Sequence, residues 1–282
     1  MDVEKGKSAL TLDRVTDWWE SEITDVAPGI IRIRGYSIED LIGRVSFSAM
    51  IWLTLRGELP DKTQEALLTA VLVSAVDHGP QTPGIAIARM AATCGVGING
   101  AMASGINALG DVHGGAGQQC MELLSDIHRL QEEKTALDIA VREGLESFRE
   151  KRGGFISGFG HRFHAVDPRA ARLSELLRDA AAKGHVSGRY LAIGQAVEKE
   201  LARGKSRPPT LNVDGIIAVV LSELGFPPEL GRGIFILSRS VGICAHAHEQ
   251  SQKGERVKGP MPPEAGYRYR GVKPRPLPDK FR

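Results

Sequence analysis

The sequence predicts a mainly α, multi-helical fold, and three observations predict it. Beyond Pro60 the apolar residues recur with a period of about 3.6, so each segment can bury one stripe. Strand-like alternation is confined to one short stretch near the N-terminus. Glycine and proline cut the periodic pattern into pieces of ordinary helix length. A chain of 282 residues with 42% apolar content can bury a full core, as one large domain or two intimate ones.

Taken in order, Asp13–Glu22 is a helix-like segment ended by Pro28 and Gly29. Ile30–Tyr36 alternates and then breaks at Gly35, which predicts one short β-hairpin. Ser37, followed by Asp40, reads as a cap for Ile38, Leu41 and Ile42. Phe47, Met50, Ile51, Leu53 and Leu55 mark a helix stopped by Gly57 and Pro60. Leu67, Leu68, Val71, Leu72 and Val76 share one side of the next helix, which runs into Asp77-His78-Gly79-Pro80 and leaves a histidine at its end. Helical pieces follow over Ile85–Ala92, Met102–Leu109, Leu123–Leu130, Ala136–Phe148, Ala170–Ala182, Tyr190–Arg203, Val213–Leu224 and Gly233–Ala247. From Pro260 onward prolines recur without a period, which predicts an extended tail lying on a neighbouring surface.

The net charge of +2 comes from nearly balanced acids and bases, so it implies neither a nucleic-acid nor a membrane partner. The C-terminal stretch, with Lys253, Arg256, Lys258, Arg268, Arg270, Lys273, Arg275, Lys280 and Arg282, is locally basic. Cys94, Cys120 and Cys244 are far apart and lack metal-ligand spacing, which suits buried thiols in a reducing compartment. With no apolar run of membrane-spanning length and no signal-peptide core, a cytoplasmic protein is expected.

Several local patterns carry little. Gly95-Val96-Gly97-Ile98-Asn99-Gly100 has the spacing of a dinucleotide loop, but a helical segment precedes it, so a turn is expected. His246 and His248 stand two apart on a helix and diverge, which favours packing or capping over zinc, and no metal site is expected. More is carried by Gly158-Phe159-Gly160-His161-Arg162, followed by Asp167-Pro168-Arg169. Two glycines permit a close backbone approach, an imidazole and guanidinium groups follow, and Asp167-Pro168 reads as a helix start.

His78, His113 in Asp111-Val112-His113-Gly114-Gly115, His161 and Asp214 in Leu211-Asn212-Val213-Asp214-Gly215 interrupt or end apolar helices. Such polar groups are costly to bury without a partner or a task. Single histidines of this kind are ordinarily satisfied core or cap residues; three of them with an acid suit proton abstraction beside a carbonyl. A carboxylate takes the proton, one histidine donates to the enolate oxygen, and another handles the alcohol or ketone. Arg169 and Arg239 would hold substrate carboxylates in bidentate pairs, or serve as ordinary salt-bridge partners.

Arg34-Gly35-Tyr36-Ser37-Ile38-Glu39-Asp40-Leu41, Gly57-Glu58-Leu59-Pro60, His113-Gly114-Gly115-Ala116, the Gly158–Arg169 run, Asn212-Val213-Asp214 and Arg239-Ser240-Val241-Gly242 stand in a telling order. Together they resemble the citrate synthase superfamily over about residues 29–276. Asp77–Pro80 and Leu211–Gly215 look more like its citryl-CoA lyase branch, including the C-terminal module of ATP-citrate lyase. Length agrees, because the chain passes from Pro60 into the helix before His78 without the long helical insertion usual in citrate synthases.

The resemblance implies an all-α fold with a large domain (1–112 and 225–282) and a small one (113–224), closing over substrates in a homodimer. It makes Asp214 the base at the acetyl-CoA methyl, His113 the donor to the thioester oxygen, and His161 the group acting on the oxaloacetate carbonyl or citryl hydroxyl. His78, Arg169 and Arg239 match substrate-binding positions. Gly158, Phe159 and Gly160, with Arg162 beside them, match the coenzyme A loop. Arg275 is the candidate for an arginine lent by the partner's tail, with Arg268 and Arg270 as alternatives. No tightly bound cofactor or metal is implied, the CoA thioester being substrate. The expected activity is cleavage of citryl-CoA, or a close 3-hydroxy-3-carboxyacyl-CoA, to acetyl-CoA and oxaloacetate. Citrate synthase is the alternative, and a non-catalytic binding subunit of the same fold a second one.

Overall fold

Pro28 and Gly29 reverse the chain early, proline fixing one torsion and Gly29 taking φ +75°. In the computed structural model, which describes residues 19–133, 136–160 and 167–281, this turn joins β1 (Thr24–Ala27) to β2 (Ile30–Ile33). A second turn at Arg34 and Gly35, both with positive φ, leads to β3 (Tyr36–Ser37). The sheet is antiparallel in the order β1-β2-β3, with Val26 opposite Ile31 and Ile33 opposite Tyr36. The expected hairpin is therefore present, with β1 as an additional strand whose sequence, Thr-Asp-Val-Ala, carries too little alternation to announce itself. Arg34 holds an unfavourable torsion for a side-chain-bearing residue. Its Nε and Nη2 donate to the Thr54 carbonyl at 3.3 and 3.1 Å, which ties the turn to a helix end.

Described contacts divide the chain into two compact units, Met1–Ala75 with Ala116–Phe235, and Val76–Gly115 with Ile236–Arg282. This grouping follows different lines from the expected 1–112 with 225–282 and 113–224, since it sets residues before Ala75 with Ala116–Phe235.

The first unit begins, after the sheet, with α1 (Ile38–Leu41), α2 (Phe47–Arg56) and α3 (Lys62–Ala75). Ser46 caps α2 by accepting the Ala49 amide at 3.1 Å, and Gly57 at φ +90° ends it. Asp61 accepts the amides of Thr63 and Gln64 ahead of α3. Then come α6 (Ala116–Glu132), α7 (Leu137–Arg152), α8 (Pro168–Ala182), α9 (Arg189–Ala202) and α10 (Val213–Glu223). Between Asp214 and Ser222 helix α10 is wholly apolar, and Gly215–Leu221 is buried without a break. A helix of that composition belongs in the middle of a core, and α10 packs against α3, α6, α8 and α9. Leu124, Ile127 and Leu177 are closed off from solvent around it, as are its own Ile216 and Leu221.

The second unit contains α4 (Pro83–Thr93) and α5 (Gly97–Asn107), which touch through bare backbone. A Cβ on Gly84 would lie 2.9 Å from the Gly105 carbonyl oxygen, and one on Gly105 would lie 2.7 Å from that of Gly84. Gly97 and Gly100 open α5, so the Gly95–Gly100 stretch is a turn running into a helix. The long helix α11 (Pro228–Gln252) starts in the first unit and continues into the second. Helix α3 stops at Ala75, so His78 lies just beyond it in a turn. The tail after Pro260 has two short 3-10 turns, Pro263–Ala265 and Asp279–Phe281, and is exposed to residue 281. Of the helix-like segment Asp13–Glu22, residues 13–18 lie outside the described residues, and Glu20–Glu22 are not helical.

Candidate active site

Asp214 stands in the first turn of α10, half-buried. Its neighbour Asn212 explains why the helix starts there. The Asn212 side chain accepts the Gly215 amide at 3.1 Å and donates to the Gly160 carbonyl at 2.7 Å. The Asn212 amide donates to Gly158 O at 3.0 Å, and the Gly160 amide to Thr210 O at 2.7 Å. The Gly158–Gly160 loop is thus stitched antiparallel to the approach of α10, with Phe159 bridged to Leu211.

Of the two glycines that suggested a close approach, Gly158 makes one, to the chain itself, while a Cβ on Gly160 would meet only Pro209 Cβ at 3.6 Å. A Cβ on Gly158, at φ +88°, would meet Cys120 Sγ at 2.7 Å and Gly215 Cα at 2.8 Å, and a Cβ on Gly215 would collide with the Gly158 carbonyl oxygen. Phe159 is only 3% exposed, so its ring belongs to the core. Beneath the loop lies the Cys120 thiol, pushed well above its ordinary range by burial and then by the charge of Asp214.

Asp167 is the residue that sequence reasoning undervalued. It caps α8, as Asp-Pro indicated, but its buried carboxylate does more. It accepts Arg169 N and Nε on Oδ1, both at 3.0 Å, Arg169 Nη2 on Oδ2 at 2.9 Å, and the Val213 amide on Oδ2 at 3.1 Å. Burial works to raise its pKa, yet the Arg169 guanidinium and these amides hold it below the ordinary carboxylate range. One carboxylate therefore joins the start of α8 to the start of α10, so Arg169 and Asp214 share a support. Arg169 makes a bidentate ion pair with Asp167.

In the second unit His113 lies in the Gly110–Gly115 loop between α5 and α6, closed on itself by a Gly110–Gly114 bridge. A Cβ on Gly115 would sit 2.8 Å from Asp111 Cα, so only glycine fits there. The His113 pKa is lowered by burial and then by the charge of Arg239, which projects from α11 and is 5% exposed. His113 Nε2 is buried with no hydrogen-bond partner among the described residues. The structure thus brings His113 and Arg239 together. His78 is exposed, and its carbonyl accepts the Thr82 hydroxyl at 2.9 Å.

Arg275 is in the exposed tail. His161 and Arg162 lie outside the described residues. His246 is packed between Asp77 and Arg89, and His248 is exposed, so the two do diverge. Among the described residues no group of three His, Cys, Asp or Glu could hold a metal ion. No helix there is long and apolar enough to cross a membrane.

Residues 14–70 and 60–260 match the family described as citrate synthase, C-terminal domain. Citrate synthase of Heyndrickxia coagulans is 32% identical over 212 residues, 74% of this chain and 53% of that protein. Citrate/2-methylcitrate synthase of Bacillus subtilis is 32% identical over 228 residues, 80% of this chain and 58% of that protein. The chain thus spans little more than half the length of these curated relatives. The solved structure of citryl-CoA lyase from Hydrogenobacter thermophilus superposes with a TM-score of 0.82 at 34% identity, covering 93% of this chain and 98% of that one. With a family model matched along most of its length and its mainly helical architecture shared, the chain belongs to the citrate synthase family.

Proposed function

We propose that the protein is a CoA-dependent carbon–carbon lyase that cleaves citryl-CoA, or a close 3-hydroxy-3-carboxyacyl-CoA, to acetyl-CoA and oxaloacetate. The observation that carries this reading is the likeness to a citryl-CoA lyase chain over 93% of one and 98% of the other. His161 takes the proton of the citryl hydroxyl, and the carbon–carbon bond breaks as the ketone forms. The bonding pair passes into the thioester as an enolate. A neutral His113, its pKa lowered by burial and by Arg239, donates a hydrogen bond to the enolate oxygen. Asp214, as the acid, returns a proton to the enolate carbon and completes acetyl-CoA.

His78, Arg169 and Arg239 hold the carboxylates, and the backbone of Gly158, Phe159 and Gly160, with Arg162, holds coenzyme A. A second copy of the chain completes the site with Arg275. No metal takes part in these steps, and the CoA thioester is a substrate rather than a bound cofactor. The free cysteines suit a cytoplasmic setting.

Citrate synthase is the second reading, favoured by the names of the 32% identical relatives. It uses the same groups in the opposite direction, followed by thioester hydrolysis. Incubation with acetyl-CoA and oxaloacetate, following free thiol, separates the two. The lyase reading expects turnover of citryl-CoA and no rapid thiol release; rapid release would replace it with the synthase. Asp214→Asn is expected to abolish either reaction while leaving the circular dichroism spectrum unchanged.

A further inference from the structure

The turn that carries His78 is held down by charges that the proposed chemistry does not use. Asp77 Oδ2 accepts the Gly79 amide at 3.2 Å, and Asp77 Oδ1 lies 3.2 Å from His246 Nε2. Behind the imidazole, Arg89 Nη1 lies 3.1 Å from His246 Nδ1 and donates to Glu249 Oε2 at 2.6 Å. Glu249 Oε2 is also 3.6 Å from Nδ1, and Lys253 Nζ stands 3.8 Å from Glu249 Oε1. The side chains of His246 and Arg89 are 18% and 13% exposed, so solvent has little access to the middle of this chain of contacts.

Hydrogen-bond bookkeeping fixes the ring. A guanidinium only donates, so in its contact with Arg89 the Nδ1 atom accepts, and the ring proton sits on Nε2, pointing at Asp77. The carboxylate responds accordingly. Burial pushes the Asp77 pKa up, but the Gly79 amide and His246 outweigh it and leave the group lowered.

The place of this contact on α11 gives it meaning. Arg239, Gly242, His246 and Glu249 are spaced three, four and three apart, and so form one stripe of the helix. At Gly242 the helix has no side chain, and a Cβ there would meet Asp77 Oδ1 at 3.0 Å and Asp77 Cβ at 3.2 Å. The turn therefore rests on the helix backbone one turn from His246 and one turn from Arg239, whose charge acts on His113.

We infer that His246, held in one tautomer by Arg89, is a positioning residue that locks Asp77 and the turn of His78 onto the α11 stripe bearing Arg239. The role is distinct from catalysis, since His246 acts only through Asp77. The inference deepens the lyase reading and rests on the proposed task of His78, which is to hold the dicarboxylate part of the substrate and not coenzyme A.

The test uses the full chain and two ligands, oxaloacetate and coenzyme A, titrated by calorimetry beside steady-state kinetics with citryl-CoA. His246→Leu should weaken oxaloacetate by about tenfold or more while coenzyme A affinity and the circular dichroism spectrum stay as in the parent protein. His246→Gln, whose amide can donate to Asp77 and accept from Arg89, should recover most of the loss. Asp77→Asn should reproduce the selective loss even if the leucine variant folds poorly. Unchanged oxaloacetate affinity in His246→Leu and Asp77→Asn, an equal loss for both ligands, or a glutamine variant no better than leucine would each overturn the inference. If the parent protein binds coenzyme A and cleaves citryl-CoA, such a result leaves the lyase reading standing. If the parent binds neither ligand, the lyase reading itself fails and takes the positioning role with it.

Discussion

Asp167 and His113 carry opposite electrostatic problems, and the structure resolves each with an arginine. In Asp167 the arginine and two backbone amides stabilise the charged carboxylate, so its folded pKa lies below the unfolded value of about 3.9. Its contribution to stability is therefore present above pH ~4 and is lost as pH falls through the folded pKa. Asp167→Asn should cost about 3–5 kcal/mol at neutral pH, because it leaves the Arg169 guanidinium without its charged partner. In urea titrations the gap between parent and variant should narrow below pH ~4. In His113, burial and Arg239 disfavour the charged form, so the imidazole is neutral at pH 7, and charging it costs the folded state stability as pH falls below about 6.5. His113→Ala should lower kcat by about 10²–10³ with a small change in KM, as expected for a donor that matters most to the enolate. Of these residues His113 was legible because a histidine among glycines is conspicuous. The bond from Asp167 to Val213 was not, since nothing local in the sequence says that two helix starts distant along the chain will meet.

At the scale of elements, most helices were legible to within a few residues because each buries one periodic stripe. Glycine signals were half legible. Gly158 announced a close approach, but only the fold shows that the approaching object is Gly215. Adding a methyl group there forces backbone against backbone, so Gly215→Ala should lose about 1–3 kcal/mol and most turnover. Gly117→Ala on α6 is the matched control, because a Cβ there meets nothing nearer than Asp214 O at 3.8 Å. It should be neutral in stability by calorimetry. Glu223 taught a different lesson. It ends α10 yet caps α9, accepting the amides of Gly188, Tyr190 and Leu191 at 3.1, 2.7 and 3.2 Å and the Ser187 hydroxyl at 2.8 Å. The sequence around α9 offers no acidic cap of its own, so this long-range cap was invisible. Glu223→Ala should cost about 1–2 kcal/mol in chemical denaturation.

At the scale of the molecule, the sequence conveyed a mainly helical protein of this family. It did not convey the contact units, because they depend on which apolar stripes face one another. The family likeness leaves the direction of reaction to experiment, since cleavage and condensation pass through one enolate. What the fold does settle is where the proposed base is mounted. Helix α10 packs against four other helices and is buried from Gly215 to Leu221. Amide protons along that stretch should trade with deuterium only when the entire unit opens, and so should report its global free energy. Heating or denaturant would then extinguish activity and melt the slowest-exchanging amides at the same midpoint, with no partly loosened, inactive species preceding collapse.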